Sequence, residues 1–253
     1  MAGIIVITGA SRGIGAATAR MAGARGYQVA VNYHTSPDAA HAVVADITKA
    51  GGKAVAIAAD VSTDVGATHL FAECDRQLGP VTALFNNAGI IHTNMSILGV
   101  TEAVLEQQWR VNVTSQFLCA REAVKRMSTK TGGPFGGGQG GAIVNMSSRA
   151  AVIGGAHTSL PYAASKGAID TFTHGLALEV ASQGIRVNAV RPGLIETTIH
   201  NDTGDMERLK RLTPLVPQGR TGTPDEIAEG VLWLLSPAAS YVTASLVDLG
   251  GGR

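Results

Sequence analysis

Short apolar runs rich in β-branched and small residues recur along this chain, each separated from the next by a stretch long enough for a helix. Ile4–Thr8, Gln28–Asn32, Lys53–Ala58, Ala83–Asn86, Ala142–Met146, Arg186–Val190 and Ser245–Asp248 have the length and composition of buried strands. Ala16–Arg25, Pro37–Ala50, Val65–Leu78, Glu102–Met127, Tyr162–Ser182 and Pro224–Leu235 read as the helices between them. Such alternation predicts an α/β fold, a single doubly wound parallel sheet of about seven strands with helices on both faces and right-handed crossovers. No second domain, repeat or linker is visible, so residues 1–253 read as one domain, a normal length for one such sheet.

Ligands of these sheets bind beyond the carboxyl ends of the strands, and the distinctive residues of this sequence fall there. After the first strand comes Gly9-Ala-Ser11-Arg12-Gly13-Ile14-Gly15, leading into a helix. A strand, a glycine-rich turn and a helix start present backbone N–H groups to a pyrophosphate, as in a Rossmann dinucleotide site. Asp60-Val61 follows the third strand, Asn86-Asn87-Ala88-Gly89 the fourth, Ser147-Ser148 the fifth and Pro192-Gly193 the sixth.

Tyr162-Ala-Ala-Ser-Lys166 puts a phenol and an ammonium one helical turn apart, hence on one face. A free tyrosine, with a pKa of about 10, exchanges protons poorly at neutral pH. A neighbouring lysine cation favours the phenolate and moves the group towards the range useful for acid–base catalysis.

Thr8-Gly-x-x-x-Gly-x-Gly15, Asn86-Asn-Ala-Gly89, Asn112, Ser147-Ser148, Tyr162-x-x-x-Lys166 and Pro192-Gly193 stand in the order found in the short-chain dehydrogenase/reductase family, which the chain resembles along essentially its whole length. It looks most like the branch holding glucose and other sugar dehydrogenases and 3-oxoacyl-carrier-protein reductases. The resemblance implies hydride transfer between a nicotinamide and a carbonyl or secondary alcohol, with catalytic residues Asn112, Ser148, Tyr162 and Lys166. Tyr162 is then the acid or base, and Lys166 lowers its pKa and contacts the nicotinamide ribose. Ser148 bonds the substrate oxygen, and Asn112 holds a water linked to Lys166. Ser147 competes with Ser148, since adjacent residues at a strand end point to opposite sides; in relatives the second serine usually carries the role.

For the cofactor, the resemblance implies contacts from Gly9, Ser11, Arg12, Gly13, Ile14, Gly15, Asn32, His34, Asp60, Val61, Asn87, Ala88, Gly89, Tyr162, Lys166, Pro192, Gly193, Ile195 and Thr197. The corner after the second strand reads Asn32-Tyr33-His34-Thr35-Ser36, without the carboxylate that NAD-specific folds place on the ribose 2′-hydroxyl. With Arg12 placed as in similar NADP enzymes, NADP(H) is the expected cofactor. Some relatives with Asn-Tyr at this corner use both cofactors, which leaves NAD(H) open.

His92, Asn94, Arg149, His157 and Glu196–Leu212 are the candidate mouth of the site, and their polarity suggests a small, sugar- or polyol-like substrate. A 3-oxoacyl-carrier-protein substrate is the alternative, weakened because Leu178 stands where those reductases commonly carry an arginine. A non-catalytic dinucleotide-binding regulator would have no need of the full catalytic set. Glu196–Leu212 also reads as a lid with a short amphipathic helix at Met206–Leu212, and the glycine-rich 132–141 stretch as a mobile connector. A net charge of +1 gives no basic patch for nucleic acid, and no apolar run is long enough to span a bilayer. Cys74, Cys119 and the scattered histidines form neither a disulfide framework nor a metal set, which fits a cytoplasmic protein. The first strand leaves no room for a signal peptide. By resemblance the chain is a homotetramer that acts on a small molecule.

Overall fold

The computed structural model describes residues 3–92, 95–130, 138–197 and 207–253, with the side chain of Arg208 outside that set. Its strands are β1 (Ile4–Ile7), β2 (Gln28–Tyr33), β3 (Lys53–Ala58), β4 (Ala83–Asn86), β5 (Gly141–Met146), β6 (Ile185–Pro192) and β7 (Leu246–Leu249). They form one parallel sheet in the order β3-β2-β1-β4-β5-β6-β7, a Rossmann-like arrangement. The strand order reverses between β1 and β4, which opens a crevice at their carboxyl ends.

Alternation along each strand feeds two cores. In β1, Ile5 and Ile7 pack towards α1 (Gly13–Ala24), α2 (Pro37–Lys49) and α9 (Pro224–Leu235). Ile4 and Val6 pack towards α3 (Asp64–Gln77), α5 (Ser115–Met127) and α7 (Leu160–Val180). A strand buried on both faces needs the continuous apolar run that β1 has.

Several helices start where a side chain meets an orphan N–H. Thr63 accepts from Gly66 N at 3.0 Å to begin α3, and Thr223 and Glu226 make a capping box for α9. Thr101 does the same for α4 (Glu102–Trp109). Residues 102–127 are helical throughout, as periodicity predicts, but Arg110–Thr114 forms a π-helical turn between α4 and α5.

Other departures are local. α1 begins at Gly13, three residues before the expected start, and β6 runs on to Pro192. The short helix α6 (Ala150–Ile153) carries too few residues to show a period. α8 (Arg208–Leu212) is the described helical part of the expected 206–212 helix; residues 198–206 of the lid segment lie outside the described residues. So do residues 131–137 of the glycine-rich connector. The remainder of that connector is tightly packed: a Cβ on Gly140 (φ +80) would stand 2.4 Å from the Gly184 carbonyl oxygen. No helix among the described residues is long and apolar enough to cross a membrane.

Candidate functional site

A cavity of about 860 Å³ lies at the carboxyl ends of the strands. At one end it is floored by the turn between β1 and α1. Gly13 has φ +56 there, and a Cβ on Gly15 would come within 2.6 Å of both the Gly9 carbonyl oxygen and Asn87 Nδ2. Arg12 is the N-cap residue of α1, and its side chain makes no capping bond to the helix. The first-turn N–H groups and the positive helix end thus suit a pyrophosphate. Thr8 Oγ1 accepts from Asn87 N and Ala88 N, both at 2.9 Å, and Asn87 Nδ2 returns bonds to Thr8 O and Gly9 O. These bonds lock the β1 and β4 ends into one cradle.

Gly9, Ser11, Arg12, Gly13, Ile14, Asn32, His34, Asp60, Val61, Asn87, Ala88, Gly89, Pro192, Gly193, Ile195 and Thr197 all line this cavity, as the sequence reading expects of a cofactor site. Gly15 lies beneath the turn and does not line it. Asn32 lines the wall but spends its side chain on the scaffold, accepting from Gly9 N and donating to the Ile57 and Ala59 carbonyls. Asp60 accepts from Ser62 N at 3.1 Å and Ser62 Oγ at 2.6 Å. Burial would raise its carboxyl pKa, but the Ser62 bonds, His34 and Arg110 outweigh that and hold it below the usual range.

At the other end, Ser148 from the segment after β5 meets Tyr162 and Lys166 from α7. Lys166 Nζ donates to the Met146 carbonyl at 2.7 Å and lies 5.5 Å from the Tyr162 ring centroid. Burial pulls its pKa from 10.5 down to about 7, with Asp170 pulling the other way. Both serines line the cavity, but their side chains are differently committed. Ser147 is buried, with Oγ 2.6 Å from Asp170 Oδ1, whereas Ser148 is partly open and its Oγ accepts from Ala150 N.

Asn112 sits in the π turn, a kind of helix defect frequent at functional sites. It is wholly buried and does not line the cavity. Its Oδ1 accepts from Ile90 N at 2.8 Å, and Nδ2 donates to Ile90 O and Ser165 Oγ. A Cβ on Gly89 would meet Asn112 Oδ1 at 3.3 Å and Lys166 Nζ at 3.7 Å, so the bare glycine keeps open the space between them.

Of the mouth expected from the sequence, Arg149, Thr197 and Leu212 line the cavity, and residues 198–206 lie outside the described residues. His92 and His157 do not line the cavity, and Asn94 lies outside the described residues. Arg149 lines it but is engaged, with Nε on the Arg253 carbonyl at 2.6 Å and Nη1 on Asp248. The described lining that the glycine cradle does not supply is mixed, with Ile91, Ala150, Ile153, Ala156 and Leu212 beside Gln107, Arg110, Thr158 and Ser159. Arg110 was missed by sequence reasoning; only the turn it shares with Asn112 could have flagged it. Cys74 and Cys119 are free and buried, their thiols pushed up to about 12 chiefly by burial, so neither is a nucleophile. No metal-binding cluster occurs among the described residues.

Residues 9–253 match the family profile described as Enoyl-(Acyl carrier protein) reductase. An uncharacterized oxidoreductase of Escherichia coli K12, YgfF, is 48% identical over 250 residues, 99% of each chain. 3β-hydroxysteroid dehydrogenase 1 of Eggerthella lenta is 36% identical over 98% of this chain and 92% of its own. Glucose 1-dehydrogenase 2 of Bacillus subtilis is 34% identical over 98% and 93%. The crystal structure of a dehydrogenase/reductase from Sinorhizobium meliloti 1021 superposes with a TM-score of 0.90 at 32% identity, covering 100% of this chain and 95% of that one. With its fold and sequence thus matched end to end, the chain belongs to the short-chain dehydrogenase/reductase family and is an NAD(P)-dependent oxidoreductase.

Proposed function

We propose that this enzyme interconverts a secondary alcohol and a ketone or aldehyde, with NADP(H) as its preferred cofactor and Tyr162 as its acid–base group. The convergence of Ser148, Tyr162 and Lys166 on one end of a cavity whose other end is the glycine cradle carries the reading. The nicotinamide, when bound, supplies or takes up the hydride. Negative charge that builds on the substrate oxygen calls for donors, and Ser148 and Tyr162 provide two hydroxyls there. In reduction the Tyr162 hydroxyl gives its proton to that oxygen; in oxidation the phenolate receives it. Lys166, held by Met146 O, places a cation beside the phenol. Asn112 fixes Ile90 and Ser165, which sets the 87–90 segment against α7.

For the substrate, the sequence suggests a sugar or polyol; of the described residues behind that idea, Arg149 is engaged and His92 and His157 do not line the cavity. Ile91, Ile153, Ala156 and Leu212 can take hydrocarbon beside the reacting carbon, while Gln107, Thr158 and Ser159 line the same cavity and can match a hydroxyl that would otherwise cost about 1–3 kcal/mol to bury. Steady-state kcat/KM over monosaccharides, polyols, 3-oxoacyl thioesters and aryl or alicyclic ketones tests the assignment. Turnover of no carbonyl or alcohol by cofactor-loaded enzyme would sink it.

The cofactor preference rests on the β2–α2 corner. His34, Thr35 and Ser36 line the cavity there with no carboxylate among them, and Arg12 lines it from the glycine turn. A charge-assisted bond from Arg12 to a 2′-phosphate is worth about 1.5–3 kcal/mol. Arg12→Ala is therefore expected to weaken NADP(H) binding by about 10- to 100-fold and NAD(H) binding far less. Equal losses for the two cofactors, or an NAD(H) preference in the wild type, would overturn the idea.

We further propose a homotetramer in the cytoplasm, where the two thiols stay reduced. Leu105, Trp109, Phe117 and Leu178 are exposed on α4, α5 and α7, and Phe117 stacks on Phe172 at 3.8 Å. Exposed apolar groups on neighbouring helices suit burial against a second copy. Sedimentation should give the mass of four chains at micromolar concentration, and a monomer there would refute the assembly.

A further inference from the structure

One face of α7 carries Tyr162, Lys166 and Asp170 at four-residue intervals, and the acid–base reading uses only the first two. Asp170 is mostly buried and bound on both oxygens. Its Oδ1 lies 2.6 Å from Ser147 Oγ, and its Oδ2 accepts from Arg191 Nε at 3.1 Å and Nη2 at 2.8 Å. Ser147 Oγ also lies 3.2 Å from the Lys166 carbonyl oxygen.

The end of β5 is therefore pinned to α7 twice in succession. Lys166 Nζ holds the Met146 carbonyl and Asp170 holds the Ser147 side chain. The next residue is Ser148, which faces the cavity.

We propose that Asp170 is a positioning residue of this enzyme, fixing the strand end that presents Ser148 and supplying the anion that keeps Lys166 charged. The proposal rests on the reading of Tyr162 and Lys166 as the acid–base pair.

The charges are arranged for such a role. Beyond Asp170 stands Arg191, whose Nη1 is 3.7 Å from Asp248, and Asp248 in turn takes Nη1 of Arg149, next to Ser148. Lys166, Asp170, Arg191, Asp248 and Arg149 thus alternate in sign from α7 across the ends of β6 and β7 to the segment after β5. The other elements described around Lys166 bring no further charge to it: Asn112 from the π turn and Gly89 after β4 are neutral, and β5 contributes a carbonyl. Tyr162 and Asp170 are its titratable neighbours on α7. Burial drives Lys166 towards the neutral amine, and Asp170 is the opposing influence.

Two substitutions separate this from a role in folding alone. Asp170→Asn keeps the shape and can still accept from Ser147, but removes the anion. The alkaline limb of the kcat profile for carbonyl reduction should then move to lower pH by about one unit, with kcat at pH about 8 down about tenfold. Arg191→Met removes the cation that shares Asp170, so Lys166 feels more of the carboxylate and the limb should move to higher pH. Asp170→Glu should restore most of the wild-type profile. A merely structural residue would lower thermal stability or active fraction and leave the limb in place. An unshifted limb in both Asp170→Asn and Arg191→Met overturns the proposal, as does a shift of the same sign in both. If Asp170→Asn does not fold, the upward shift in Arg191→Met decides alone. Substantial turnover by Tyr162→Phe, measured alongside, would instead sink the acid–base reading itself.

Discussion

Replacing Tyr162 by phenylalanine is expected to lower turnover by about 10²- to 10⁴-fold in both directions, the usual contribution of a positioned acid–base group. The substitution keeps the ring, its place on α7 and the apolar surface against its neighbours, and removes only the hydroxyl. Cofactor affinity, which the proposed reading assigns mainly to the glycine cradle and the β4 end, should stay near wild type. Charge on the pair is mutual. Lys166 lies 5.5 Å from the Tyr162 ring in a place where burial penalises a lone ammonium, so a phenolate and an ammonium form there together more readily than either alone. Alcohol oxidation needs the phenolate, so the wild-type rate should climb with pH through the titration of this pair, whereas the residual rate of the variant should lack that climb. Single-turnover rates and fluorescence titration of NADPH on the purified variant measure both quantities. A variant that keeps more than about a tenth of the rate would place the proton donor elsewhere.

Much of this was written in local patterns. Lys53–Ala58 and Pro224–Leu235 have in the structure the boundaries their periodicity gives, because an apolar strand and a capped amphipathic helix each carry their own signal. The parallel sheet follows from alternation alone. What the pattern hides is backbone detail and side-chain commitment. A π turn has no sequence period, so nothing announced that Arg110–Thr114 would turn Asn112 inward to Ile90 and bring Arg110 to the cavity. Asn32 is a cofactor candidate by position, but its amide is spent tying β2 to the glycine turn and β3. Arg149 looked like a substrate ligand and is instead taken by Asp248 and Arg253, partners about a hundred residues away. Strand alternation puts Ser147 and Ser148 on opposite sides without ranking them, and only the resemblance favours the second; the bond from Ser147 to Asp170, far along the chain on α7, has no local signal.

Lys166→Met is expected to abolish efficient catalysis and at the same time to stabilise the fold at neutral pH, with the gain disappearing in alkali. The sign follows from proton counts. The folded-state pKa of Lys166 is depressed from 10.5 to about 7, so between these values the unfolded chain binds more protons than the native one. Wild-type stability therefore rises with pH across that window; the burial penalty is fully present below about 7 and is relieved by about 10.5. At 1.36 kcal/mol per pKa unit the penalty is a few kcal/mol. Methionine fills a similar volume without charge and escapes it. Against this stands the Met146 carbonyl, which loses its lysine donor, at a cost of about 1–3 kcal/mol. The net gain at pH 6–7 is thus about 1–3 kcal/mol, or about 2–10 °C in Tm for a chain of this size. Denaturant unfolding of both proteins at several pH values reads the difference directly. A variant that is less stable than wild type at pH about 6.5 and no worse at pH about 10 would reverse the predicted slope, and would mean that Lys166 is held in the fold as a well-compensated cation rather than kept there at a cost to stability.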